Sequence, residues 1–90
     1  MYKRKGSVGA GSNEAGYTRL AREIILQAVR DYRAACRTLK RNPRQKEMRQ
    51  EAEEMRDEVI SFFRSQWFTE LTDVDGEYLL RKLNEEVGNG

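Results

Sequence analysis

The stretch RTLKRNPRQKEM, residues 37–48, decides the fold. Before it, Ile25, Ala28, Val29, Tyr32, Ala35, Cys36 and Leu39 recur at steps of three and four. That spacing lays them on one stripe of an amphipathic helix from about Thr18 to Arg41. After it, Met48, Ala52, Met55, Val59 and Phe62 repeat the same rhythm, and Ile60 and Phe63 widen the stripe. This predicts a second helix from Pro43 to about Ser65. Between the two sits Asn42-Pro43. A residue before proline is driven out of the helical region, so the first helix must stop there. The same pair suits a helix start, with Asn42 as N-cap and Pro43 at the first helical position. A turn this short folds the two helices into an antiparallel hairpin.

Residues 65–83, SQWFTELTDVDGEYLLRKL, follow the hairpin. Trp67, Phe68 and Leu71 extend the apolar cluster on a short helix after a bend at Ser65-Gln66. Thr72, with Asp75 three residues on, fits a capping box. A C-terminal helix from about Val74 to Val87 is then expected to bury Tyr78, Leu79 and Leu83. Residues 88–90 read as a frayed tail. Residues 1–17 contain Gly6, Gly9, Gly11 and Gly16, lack apolar periodicity, and read as a mobile basic segment. The expectation is an all-α protein: a long antiparallel helical hairpin plus a C-terminal helix, forming one domain over residues 18–87.

Composition narrows the function. The chain has 90 residues, no histidine and one cysteine, Cys36. A zinc site or histidine-based triad within it is excluded, and no cofactor is called for. No run is apolar enough for a signal peptide or membrane span, which points to a soluble, cytoplasmic protein without membrane contact. Net charge is +2 but uneven: residues 18–42 carry +5 and residues 67–90 carry −4. Such asymmetry marks contact with nucleic acid or pairing between the two halves.

Two motifs invite a ligand and fail. GSVGAGS, residues 6–12, spaces its glycines like a phosphate-binding loop. Gly11 rather than a lysine directly precedes Ser12, and no strand leads into the loop. What remains is a basic arm in which Lys3, Arg4 and Lys5 can reach phosphate by charge alone. DVDGE, residues 73–77, resembles the middle of a calcium loop. Its first ligand would be Leu71 and its twelfth Lys82, so both ends are missing. The bland reading is a helix start whose acids meet the positive end of the dipole. Glu70, Asp73, Asp75 and Glu77 make no catalytic constellation, and the chain is expected not to be an enzyme.

The most informative pattern is basic. With Ile25 as origin and about 100° per residue, Arg19, Arg22, Arg30, Arg33, Arg37, Lys40 and Arg41 fall between roughly 60° and 160°. Leu26 lies within this ridge. The apolar stripe is centred elsewhere, near roughly 330°. A ridge of arginines suits bidentate phosphate or carboxylate recognition. Against this stands internal pairing: Glu47, Glu51, Glu54 and Glu58 recur on one flank of the second helix and would face part of the ridge. Phe62, Phe63, Trp67, Phe68 and Tyr78 read mainly as core, with one or two left over for an interface.

The run EIILQAVRDYRAACRTLKRNP and the tail FFRSQWFTELTDVDGEYLLRKL resemble small helical proteins encoded by phages and mobile elements of Gram-positive, mostly clostridial, bacteria. The resemblance spans about Glu23 to Leu83 and carries no functional residues across. It implies a non-enzymatic binder. The leading expectation is a stoichiometric, anti-CRISPR-like inhibitor that docks its arginine ridge on a host protein or protein–nucleic-acid complex. Direct DNA or RNA binding in regulation, replication or packaging is the first alternative. A structural homodimer, its ridge paired with the partner's acidic tail, is the second.

Overall fold

The structure is a computed structural model that describes the backbone of residues 10–89 and the side chains of residues 16–88. Lys3, Arg4, Lys5 and most of the glycine-rich loop lie outside the described residues. Four helices follow one another: α1 (Ala10–Lys40), α2 (Lys46–Phe63), α3 (Gln66–Leu71) and α4 (Gly76–Asn89). No strand occurs among the described residues. The α1–α2 hairpin is the dominant packing, and α4 returns parallel to α1 to close it. The all-α hairpin with a C-terminal helix is therefore as the sequence predicts.

The boundaries differ, each for a local reason. Helix α1 begins at Ala10 rather than Thr18, so residues 10–17 are helical. Gly11 and Gly16 each cost helix stability, by about 0.5–1 kcal/mol relative to alanine, yet do not stop propagation. Asn42 does not cap α2. It takes a left-handed conformation with φ 54°, and its N–H donates to the Leu39 carbonyl at 3.0 Å. Asparagine tolerates that region, so it terminates α1 from behind. Pro43 through Gln45 then bridge to α2, which starts at Lys46 with Gln45 in the cap position.

The bend at Ser65 is where the spacing places it. Ser65 Oγ accepts from the Phe68 N–H at 3.2 Å and donates to the Phe62 carbonyl at 2.6 Å, closing α2 and opening α3 with one hydroxyl. Helix α4 starts two residues later than expected. Its cap is Asp75, whose Oδ1 accepts from the Glu77 N–H at 2.9 Å. Thr72 instead accepts from the Val74 N–H at 3.2 Å, making a local turn rather than a capping box. Helix α4 also runs on to Asn89, so residues 88 and 89 are helical rather than frayed.

The core is Ala28, Val29 and Tyr32 of α1, Val59 and Phe63 of α2, Phe68 of α3, and Leu80 and Leu83 of α4. Burying each of the larger side chains contributes about 1.5–3 kcal/mol relative to leaving it in water. Phe63 and Phe68 meet edge to face at 5.3 Å and 70°, and Phe62 stands against both. Gly76 makes this knot possible. A Cβ there would overlap the Phe63 carbonyl, so the chain entering α4 lies directly on the end of α2. Of the other expected core aromatics, Trp67 meets Phe62 edge to face with ring centroids 5.3 Å apart and is 53% exposed. Tyr78 faces solvent beside Arg81 and Lys82.

Candidate functional site

The arginine ridge exists, and the structure divides it in two. Its C-terminal half is bound into the fold. Arg33 Nη2 donates to Glu86 Oε1 at 3.0 Å. Its Nε, otherwise without a hydrogen-bond partner, sits 2.6 Å from Glu86 Oε2 in ionic contact. Lys40 Nζ donates to the Val87 carbonyl at 3.2 Å, reaching a free carbonyl in the last turn of α4. Arg37 and Arg41 complete a cleft of about 400 Å³ with these residues. Because α1 and α4 are parallel, their negative dipole ends lie together here, and cations are favoured on that ground alone.

The N-terminal half has no such duty. Arg19, Arg22 and Arg30 are exposed, as is Leu26 at 39%. None of them joins any of the four ion pairs among the described residues. The acids Glu47, Glu51, Glu54 and Glu58 of α2, expected to face the ridge, pair with none of its members either. Among the described residues the ridge's one carboxylate partner is Glu86 of the acidic C-terminal segment. The sequence contains the signal for that, in the basic-first, acidic-last charge order, but periodicity alone does not say which acid folds back.

Sequence reasoning also misses the contact that seats α4. Tyr32, 2% exposed, donates its hydroxyl to Asn84 Oδ1. Burial, reinforced by neighbouring Cys36, pushes that hydroxyl above the ordinary tyrosine range, so it remains a neutral donor. At the other end of α4, Arg64 Nε donates to Glu77 Oε2 at 2.6 Å on the open surface.

Opposite the ridge lies a different surface. Residues 16–20 of α1 are all exposed, and among the described residues no other element comes within 4 Å of where a Gly16 Cβ would stand. Helix α1 thus overhangs the bundle and carries two large apolar groups into solvent, Tyr17 at 53% and Leu20 at 58% exposure. The same face continues into a groove of about 550 Å³ between α1, α2 and α3. Ile24 and Ala28 form one wall, Met55, Val59 and Phe62 the other, and Trp67 one end, while Glu23, Asp31 and Glu58 line the rim. A single exposed leucine is ordinary; an overhang and an open apolar groove on one face mark an interaction surface.

Among the described residues no cluster of His, Cys, Asp and Glu could hold a metal ion. No described helix is long and apolar enough to cross a membrane.

Comparison with known proteins bears on this surface. Neither a curated protein nor a solved structure matches the chain. A family model described as the dimerisation domain of glutamyl-tRNA(Glu) reductase matches residues 20–89. That match overturns the reading of the chain as an anti-CRISPR-like inhibitor of a host defence complex. It also corrects the expectation that the chain is not an enzyme, because the matched domain is by its description a part of one. The first expectation rested on the resemblance to phage and mobile-element proteins and on the arginine ridge, the second on the lack of a catalytic constellation. With 70 consecutive positions matched, from the overhang of α1 to the end of α4, the chain belongs to the glutamyl-tRNA reductase dimerisation-domain family.

Proposed function

We propose that this chain is a self-association module: two copies pair through the apolar face of the helical hairpin, and any chemistry of the assembled protein lies outside residues 20–89. The observation that carries the reading is the family match over those residues. The exposed apolar overhang and open groove supply a surface of the right kind. A domain this small buries a modest core alone, and pairing adds apolar burial that one copy lacks. Sedimentation equilibrium over a concentration series tests the reading. The expected result is a reversible monomer–dimer equilibrium and a melting temperature that rises with protein concentration. A monomer at every concentration up to the solubility limit would remove it.

A second reading concerns the free half of the ridge. Arg19, Arg22 and Arg30 lie on a different face from the groove and have no carboxylate partner within the described chain. Arg22 and Arg30 would stay exposed in such a dimer, where a phosphate backbone is the matching anion, while Arg19 flanks the α1 overhang. Arg33, Arg37, Lys40 and Arg41 would extend the contact only where Glu86 and the helix ends leave them free. Titration against duplex RNA and DNA at low and moderate salt tests this. Binding that falls steeply with salt, and weakens when Arg19, Arg22 and Arg30 are changed together to Gln, supports it. Absence of binding at low salt rules it out.

A further inference from the structure

We infer that the two copies pair by reciprocal insertion: the α1 overhang of each lies in the α1–α2 groove of the other, with the two α1 helices crossing antiparallel about Ile24. This rests on the self-association reading and specifies its surface.

The register comes from one helix face. Tyr17, Leu20, Ile24 and Asp31 fall within an arc of roughly 60° at 100° per residue. They run from the exposed overhang to the middle of the groove. A two-fold axis must map such a patch onto itself. Placed at Ile24, it brings Ile24 against its own copy, Leu20 against Ala28 and Tyr17 against Asp31. Each match is chemically sensible. Leu20, more than half exposed in one chain, meets the small Ala28 between Met55 and Trp67, where the groove has room for it. Tyr17 brings a hydroxyl to Asp31, which among the described residues of its own chain accepts from Gln27, at 2.9 Å.

Charge selects the same occupant. The groove rim carries three carboxylates, Glu23, Asp31 and Glu58. From Gly16 to Leu20 the overhang carries one charged side chain, Arg19, and no acid. An overhang with a cation on its flank suits an acid-rimmed groove. The ridge does not compete for this place, since Arg22 and Arg30 point to another face of α1.

A cysteine placed on the axis tests the register. In a Cys36→Ala background, Ile24→Cys should form an intermolecular disulfide under mild oxidation, because the two Cβ atoms would approach to about 4 Å. Arg30→Cys, on the ridge, should not. Leu20→Glu should weaken dimerisation at least about tenfold while leaving the helical circular dichroism unchanged. A dimer that survives Leu20→Glu and gives no Ile24→Cys crosslink overturns the insertion geometry but leaves the self-association reading standing. A wild-type chain that stays monomeric overturns both and assigns the groove to another partner.

Discussion

The two ends of the bundle are held by different forces. At one end α2, α3 and the start of α4 meet in an aromatic knot: Phe63 and Phe68 are almost wholly enclosed, and Gly76 lies against the backbone of α2. At the other, α1 and α4 finish side by side and are joined by Arg33–Glu86 and Lys40–Val87, both open to water. The first end depends on shape, where one extra methyl group has nowhere to go. The second depends on charge at the surface, where water replaces any single contact cheaply. Stability should therefore be concentrated at the knot, and tolerance to change at the clamp.

The largest effect is expected from Phe68→Ala. Phe68 is fully enclosed and packs edge to face on both Phe62 and Phe63. Truncating a buried phenylalanine costs about 3–5 kcal/mol, much of the stability available to a domain this size. Urea denaturation should show an unfolded or barely folded chain at 25 °C. A loss below about 1 kcal/mol would mean that the knot is not where the fold is held. Gly76→Ala comes next, and it adds atoms rather than removing them. Because the added carbon would meet backbone, no rotamer change relieves it, and a cost of about 1–3 kcal/mol is expected. A neutral result would show that α4 can move away from the end of α2 without penalty.

This contrast also explains what the sequence discloses. The hairpin is legible because Ile25 through Leu39 and Met48 through Phe62 keep one apolar rhythm, and because only Asn42-Pro43 interrupts it. The knot is partly legible: five aromatics crowd between Phe62 and Tyr78, but nothing local says that Phe63 and Phe68 go inside while Trp67 and Tyr78 stay out. That choice is made by α4, whose path depends on Gly76 and on the Tyr32–Asn84 contact across 52 positions of sequence. The clamp is the least legible. Helical angles group the cations on one side of α1, yet they cannot say that Glu86, rather than Glu47, Glu51, Glu54 or Glu58, supplies the counter-charge to Arg33. The apolar overhang was hidden by its glycines. Gly11 and Gly16 suggest a mobile segment, and the helix runs through both.

The smallest effect is expected at the clamp. Glu86→Gln removes the carboxylate that Arg33 faces while keeping the side chain's size. Both partners are about half exposed, at 41% and 51%, so water and salt already screen the pair. Exposed pairs of this kind contribute less than about 1 kcal/mol. Here the value should approach the upper part of that range, because Glu86 is the one acid lining a cleft with Arg33, Arg37, Lys40 and Arg41. Its removal leaves four cations with only the two helix dipole ends to offset them. The loss should shrink as salt is raised from low to physiological strength, since the repulsion left behind is screened over about 10 Å. A chemical melt of Glu86→Gln and wild type at both salt concentrations separates the possibilities. A salt-independent loss above about 2 kcal/mol would place the clamp beside the knot as a determinant of the fold, and the contrast between the two ends would collapse.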